Sequence, residues 1–161
     1  MACWTVPAGD KTAENGQGIE KPDRELFGIL KKTLGDLPII AENLGVITPE
    51  VEALREEFGF PGMRVLQFAF GGEATNDHLP HNHVRASIVH TGTHDNDTLG
   101  WFASASDKER KHRGEYLASG GREINWDMIR AAITSVADTA IIPMQDVLGL
   151  GTEAHKLAGD Q

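Results

Sequence analysis

Ser87-Ile88-Val89-His90-Thr91-Gly92-Thr93-His94-Asp95-Asn96-Asp97 is the stretch from which the order of the whole chain follows. Ser87 to His90 is short, apolar at its centre and β-branched, the pattern of a strand buried in a parallel sheet. It runs straight into a loop in which every residue except Gly92 carries a hydrogen-bonding side chain. In parallel α/β proteins ligand sites gather where strands end and the following loops begin. Two readings of the loop therefore stand side by side: a ligand site, or a turn stitched by its own Asn and Asp side chains.

Working outward, short apolar runs alternate with helical periodicity between Gly and Pro punctuation. Leu26, Phe27, Leu30 and Leu34 share one side of a helix over residues 24–34, and Gly35 follows as its C-terminal cap. Leu37-Pro38-Ile39-Ile40-Ala41 reads as a strand buried on both faces that delivers Glu42 at its end. Thr48 as N-cap, Pro49, Glu50 and Glu52 open a second helix with Val51, Leu54 and Phe58 on one face, stopped by Gly59 and Pro61-Gly62. Met63 to Phe70 reads as another buried strand, and Ala140 to Pro143 as a short last one. Trp126, Ile129, Ile133, Val136 and Ala137 mark an amphipathic helix with Trp126 in the core. The crossover from Phe70 to Ser87 shows no helix, while residues 96–125 read as an insertion with one charged helix around 107–118.

This order implies an α/β fold with parallel pairing and right-handed crossovers, either a doubly wound sheet or a barrel. Four strands are read, whereas a closed (β/α)8 barrel needs eight and about 250 residues. At 161 residues the chain has the length of one domain. With 40% hydrophobic and 24% charged residues it should bury a core. Lys+Arg 15 against Asp+Glu 24 gives a net charge of −9, which speaks against a binder of nucleic-acid phosphates. Cys3 is the sole cysteine, which fits a reducing compartment. The first residues lack the pattern of a signal peptide, and no apolar run approaches the 18 or so residues of a membrane helix. The expectation is a cytoplasmic protein.

Carboxylates are the best candidates for chemistry. Glu42 leaves an apolar run, where desolvation by neighbours such as Ala41 and Leu44 would suit a general acid; a local cap or ion pair is the alternative. His78, His81, His83, His90, His94, Asp95 and Asp97 are numerous enough to suggest a metal-dependent hydrolase built on His81, His83, His94 and Asp95. Against it, the histidines fall on separate segments and no pair sits at i, i+4 spacing on a helix like that of a zinc protease. No phosphate-binding loop, dinucleotide fingerprint or Gly-x-Ser-x-Gly elbow is present. Neither metal nor cofactor is expected. Trp4 and Trp101 offer flat faces for a sugar ring, with core packing as the plainer explanation.

Taken together, Ile40-Ala41-Glu42-Asn43-Leu44-Gly45-Val46-Ile47-Thr48-Pro49-Glu50-Val51, Phe60-Pro61-Gly62-Met63-Arg64-Val65-Leu66-Gln67-Phe68-Ala69-Phe70, Leu79-Pro80-His81-Asn82, Thr91 to Thr98 and Ala140 to Gly151 resemble the 4-alpha-glucanotransferases, glycoside hydrolase family 77. Trp4-Thr5-Val6-Pro7-Ala8-Gly9 extends the resemblance to the start. It implies part, roughly the C-terminal half, of an α-amylase-type (β/α)8 barrel, with residues 1–161 forming a single partial catalytic domain cut at both ends. The implied activity is transfer of a 1,4-alpha-D-glucan segment to an acceptor glucan or glucose with retention. Retention requires two carboxyl groups roughly 5–5.5 Å apart.

By this resemblance Glu42 is the general acid/base, Asp95 stabilises the transition state, and His94, Asn82 and Gln67 bind substrate. The nucleophile, an Asp in an Arg-x-Asp-His-Phe-Arg-Gly type segment, has no counterpart in residues 1–161, so the chain alone is expected to be inactive. Malto-oligosaccharides and alpha-1,4-glucans are the implied partners, without nucleic acid or membrane. Asn43 in place of Asp, Gly71-Gly72 in place of an acidic residue and Gln17-Gly18-Ile19 in place of a Trp-bearing stretch depart from the pattern, as does the tail after Gly151. A non-catalytic glucan-binding half barrel is the alternative.

Overall fold

Residues 2–20, 23–45 and 47–154 are described in a computed structural model of the chain. Its backbone contacts divide it into two compact units, residues 1–60 and 61–161.

The first unit opens with an antiparallel hairpin that the sequence reading passed over, β1 (Ala2–Thr5) paired with β2 (Gln17–Glu20). Trp4 is 59% exposed, and its indole N–H donates to the Ala13 carbonyl at 2.9 Å. Helix α1 (Asp23–Leu34) carries acidic residues in its first turn and lysines in its last, both favourable to the helix dipole. It ends where expected: Gly35 adopts φ +76°, a left-handed conformation that side chains disfavour, and its N–H reaches the Lys31 carbonyl. Helix α2 (Pro49–Glu57) follows Thr48. Phe27 packs on Phe58 and Phe60, with ring centroids 5.4 and 5.1 Å away.

Leu37 to Ala41 is not the doubly buried strand that its composition suggests. Only Ala41 forms a bridge, and Leu37 and Ile40 are 39% and 47% exposed. An apolar run becomes a buried strand only when neighbours cover both faces, and no ladder forms on this one among the described residues.

In the second unit β3 (Gly62–Val65), β4 (Ser87–His90) and β5 (Thr139–Ile141) form a parallel sheet with β4 in the centre. Val65 pairs with His90 and His90 with Ile141, so all three strands end at one level. The strand read from Met63 to Phe70 stops at Val65, and Leu66–Phe68 winds into a 3₁₀ turn. The turn brings Leu66, Ala69 and Phe70 into one core, whereas strand alternation would send Ala69 to the opposite face.

Helices α3 (Thr98–Ser104), α4 (Asp107–Leu117), α5 (Ile124–Ile133) and α6 (Met144–Leu148) complete this unit. Helix α4 is the charged helix expected there, and α3 was not foreseen. Helix α5 buries Ile124, Met128, Ala131 and Ala132, the i, i+4, i+7, i+8 stripe, against Leu66, Phe70, Leu79 and Val89. Its inward face is thus rotated from the expected one, leaving Trp126 44% and Ile133 64% exposed. The helix stops at Ile133, short of Val136 and Ala137. The last strand starts one residue and ends two residues earlier than read, and Pro143 becomes the N-cap of α6. The side chain of Trp101 and residues 155–161 lie outside the described residues. Among the described residues no helix is long and apolar enough to cross a membrane.

Candidate active site

The common level at which β3, β4 and β5 end decides what can be built above them. From the end of β4 the chain passes through Thr91, wholly buried, into a loop stitched by its own side chains. Asn96 Oδ1 accepts from the N–H of Thr93 at 3.1 Å and from its hydroxyl at 2.8 Å. Thr93 Oγ1 accepts in turn from the Asp95 N–H at 3.3 Å. Asp97 Oδ1 takes the Gly100 N–H at 2.7 Å and opens α3. The loop is a turn stitched by its own side chains, and the bonds that fix Thr93, Asn96 and Asp97 leave the His94 and Asp95 side chains 89% and 70% exposed. His94 Nε2 and Asp95 Oδ2 stand 3.4 Å apart, a pairing that solvent weakens.

Beside this loop lies a cleft of about 670 Å3. Met63, Ile141, Ile142, Pro143 and Leu150 give it an apolar side, and His90, Thr93, His94, Asn96, Asp97, Gln145, Asp146 and Glu153 supply polar groups. Apolar surface with a few convergent polar groups suits a ring that has both carbon faces and hydroxyl edges. Burial holds the His90 imidazole below its ordinary pKa, and its Nε2 is buried without a hydrogen-bond partner.

Gln67 lies beneath the loop and not on its rim. It is 5% exposed, and its amide donates to Thr98 Oγ1 at 3.2 Å. Asn82 belongs to a different loop, residues 71–82, where its amide donates to the carbonyls of Ala74 at 2.7 Å and Asn76 at 2.9 Å. Asn76 donates to Phe68 and accepts from the His78 N–H. His81 bridges the Ala74 carbonyl through Nε2 and the Tyr116 hydroxyl through Nδ1, at 2.9 and 2.8 Å. Glu42 belongs to the other unit and is exposed. Its neighbour Asn43 is tied to Glu52 on α2 at 2.7 Å. Glu52 in turn holds Arg55 at 2.8 Å, and Arg55 donates to the Phe60 carbonyl at 2.7 Å.

Several of the histidines that suggested a metal site have other partners. His78 Nδ1 accepts the Val65 N–H at 3.0 Å, and His83 Nε2 reaches the His78 carbonyl at 3.0 Å. Among the described residues no three of His, Cys, Asp and Glu gather into a group that would hold a metal ion. The sequence reading missed the buried Asp146, which accepts the Thr91 hydroxyl through Oδ2. Its signal was an acidic residue in the first turn of a helix that opens on Pro143.

Comparison with known proteins agrees with the resemblance. The 4-alpha-glucanotransferase family, glycoside hydrolase family 77, matches residues 1–156. A 4-alpha-glucanotransferase of Synechocystis is 54% identical over 156 residues, covering 94% of this chain and 31% of that protein. One from Clostridium butyricum is 47% identical over 157 residues, covering 96% and 32%. In structure, the amylomaltase from Streptococcus agalactiae in complex with acarbose aligns over 98% of this chain and 32% of its own, with TM-score 0.90 and 34% identity. The chain thus spans about a third of the length of the curated relatives it matches. With the family pattern running through residues 1–156 and relatives near half identical, this chain belongs to the 4-alpha-glucanotransferases of glycoside hydrolase family 77.

Proposed function

We propose that the chain is the part of a 4-alpha-glucanotransferase, cut from an α-amylase-type (β/α)8 barrel, that supplies the acid/base Glu42 and the transition-state-stabilising Asp95. The observation that carries this reading is the loop after β4, whose internal bonds leave His94 and Asp95 exposed, with His94 lining the cleft. In the retaining mechanism Glu42 donates a proton to the departing glycosidic oxygen and later removes one from the acceptor hydroxyl. The Asp95 carboxylate faces the positive charge that develops at the sugar ring. His94 contacts the sugar at the cleavage point. Asn82 meets a glucan through its side-chain oxygen, its amide being engaged by the loop. Gln67 serves binding from below by holding Thr98. The ligands are malto-oligosaccharides and alpha-1,4-glucans, and the compartment is the cytoplasm.

Residues 1–161 offer no match to the segment that carries the family nucleophile, so the chain alone is expected not to release glucose from maltotriose. A chimera in which residues 1–156 replace the matching third of the Synechocystis relative tests the assignment. It is expected to disproportionate maltotriose, and Glu42→Gln or Asp95→Asn to lower its kcat at least 10³-fold. A chimera that folds and stays active with Glu42→Gln would remove Glu42 from the mechanism.

A further inference from the structure

Asp146 is 4% exposed, and Thr91, which donates its hydroxyl to Asp146 Oδ2, is wholly buried. A buried carboxylate is costly unless charge or hydrogen bonds compensate it, so its presence here needs a reason. Three connections give one. Thr91 is the first residue after β4, so the Thr91–Asp146 bond ties the root of the His94/Asp95 loop to α6. Asn125, 8% exposed at the start of α5, donates to the Asp146 backbone carbonyl at 2.8 Å and fixes α6 from the other side. The far end of the same loop is held independently by Gln67 through Thr98. The loop is thus clamped at both ends, while its internal bonds orient the residues between.

We propose that Asp146 is a positioning residue: through Thr91 it sets the direction in which His94 and Asp95 leave β4. The functional consequence rests on the reading of those two residues as sugar-contacting groups. Oriented carboxylates act on a developing charge only over a narrow range of placement, which accounts for keeping a buried hydrogen-bonding carboxyl in this position.

The experiment compares the 161-residue chain with its Thr91→Val and Thr91→Ser variants. Valine matches the shape of threonine but cannot donate to Asp146, whereas serine keeps the donor. ¹⁵N relaxation of Thr93 to Asn96 reads the clamp without any ligand. Thr91→Val is expected to lower their order parameters towards about 0.6 and leave Val89 and His90 near the rigid value of about 0.85. Thr91→Ser is expected to restore them. Unchanged loop order in Thr91→Val, or an equal loss at Val89 and His90, would overturn the proposal. Acarbose titrated into the Synechocystis chimera carrying the same substitutions is expected to bind Thr91→Val at least tenfold more weakly than the unsubstituted chimera, with Thr91→Ser within threefold. If Thr91→Val leaves acarbose binding by the chimera unchanged, the sugar-contacting consequence fails, and the order parameters still decide the clamp.

Discussion

A Cβ on Gly92 would lie 2.6 Å from the side-chain nitrogen of Gln67. Gly92 is therefore the gap through which the Gln67 amide passes under the loop to reach Thr98. Gly92→Ala is expected to force that amide aside and to cost about 1–3 kcal/mol of stability, as overpacking of a filled site does. Urea denaturation checks it. Adding Gln67→Ala to the same chain should recover part of the loss, because the obstruction is then gone.

Three histidines of the second unit, His78, His83 and His90, have pKa values lowered chiefly by burial, with Arg64 contributing at the first two. The unfolded chain takes up these protons near the ordinary histidine value of about 6.5, and the folded chain takes them up lower. The stability that this difference contributes is complete above the unfolded value and is lost as pH falls from there through the folded values. The urea midpoint should decline steadily between about pH 7 and pH 5. His90→Phe, which removes one titrating group, should give a shallower decline.

Arg55, 9% exposed, connects the neighbourhood of Glu42 to the end of α2 through Glu52 and the Phe60 carbonyl. Arg55→Met keeps most of the apolar stem but removes these charge-assisted bonds, at an expected cost of about 2 kcal/mol. Amide exchange around Asn43 should rise in the variant, since Asn43 is held through Glu52. Unaltered exchange at Asn43 would show that the Asn43–Glu52 bond stands without Arg55.

At α4 the start is defined by a capping box: Ser106 Oγ accepts the Glu109 N–H, and Glu109 Oε2 accepts the Ser106 N–H at 2.8 Å. The Ser106 bonds hold the Glu109 carboxyl below the usual range. Ser106→Ala is expected to cost about 1 kcal/mol and to raise the Glu109 pKa. An NMR pH titration of the Glu109 carboxyl carbon and a thermal melt check both.

The central strand β4, helices α2 and α4, and the loop Thr91–Asp97 were legible because each rests on local chemistry. A β-branched run, a Thr-Pro start, a run of charged residues and a cluster of Asn and Asp side chains each carry their own instruction. Where neighbours decide, the sequence was ambiguous. Leu37–Ala41 has the composition of a buried strand but lacks a ladder, and Met63–Phe70 turns at Leu66 because Ala69 and Phe70 pack on the same side. Trp126 fits an inward stripe as well as Met128 does, and only the burial of Ile124, Met128 and Ala131 in the core with Leu66, Phe70 and Val89 selects between them. In the candidate site the residue types were readable, but not that Gln67 lies beneath the loop or that Asp146 anchors it.

The crossover between β3 and β4 has almost no helix or strand to hold it, and its carbonyls are claimed by particular side chains: Ala74 by His81 and Asn82, Phe68 and Ala69 by Asn76. Such a segment is calibrated in length. Inserting or deleting one residue anywhere from Gly71 to Pro80 would separate at least one donor from its carbonyl, while the exposed face of α1, with Leu26 and Ile29 unburied, could change its side chains with little effect on the aromatic contacts of Phe27. Functional variants of this chain should therefore drift in composition along α1 but keep the number of residues between β3 and β4 constant.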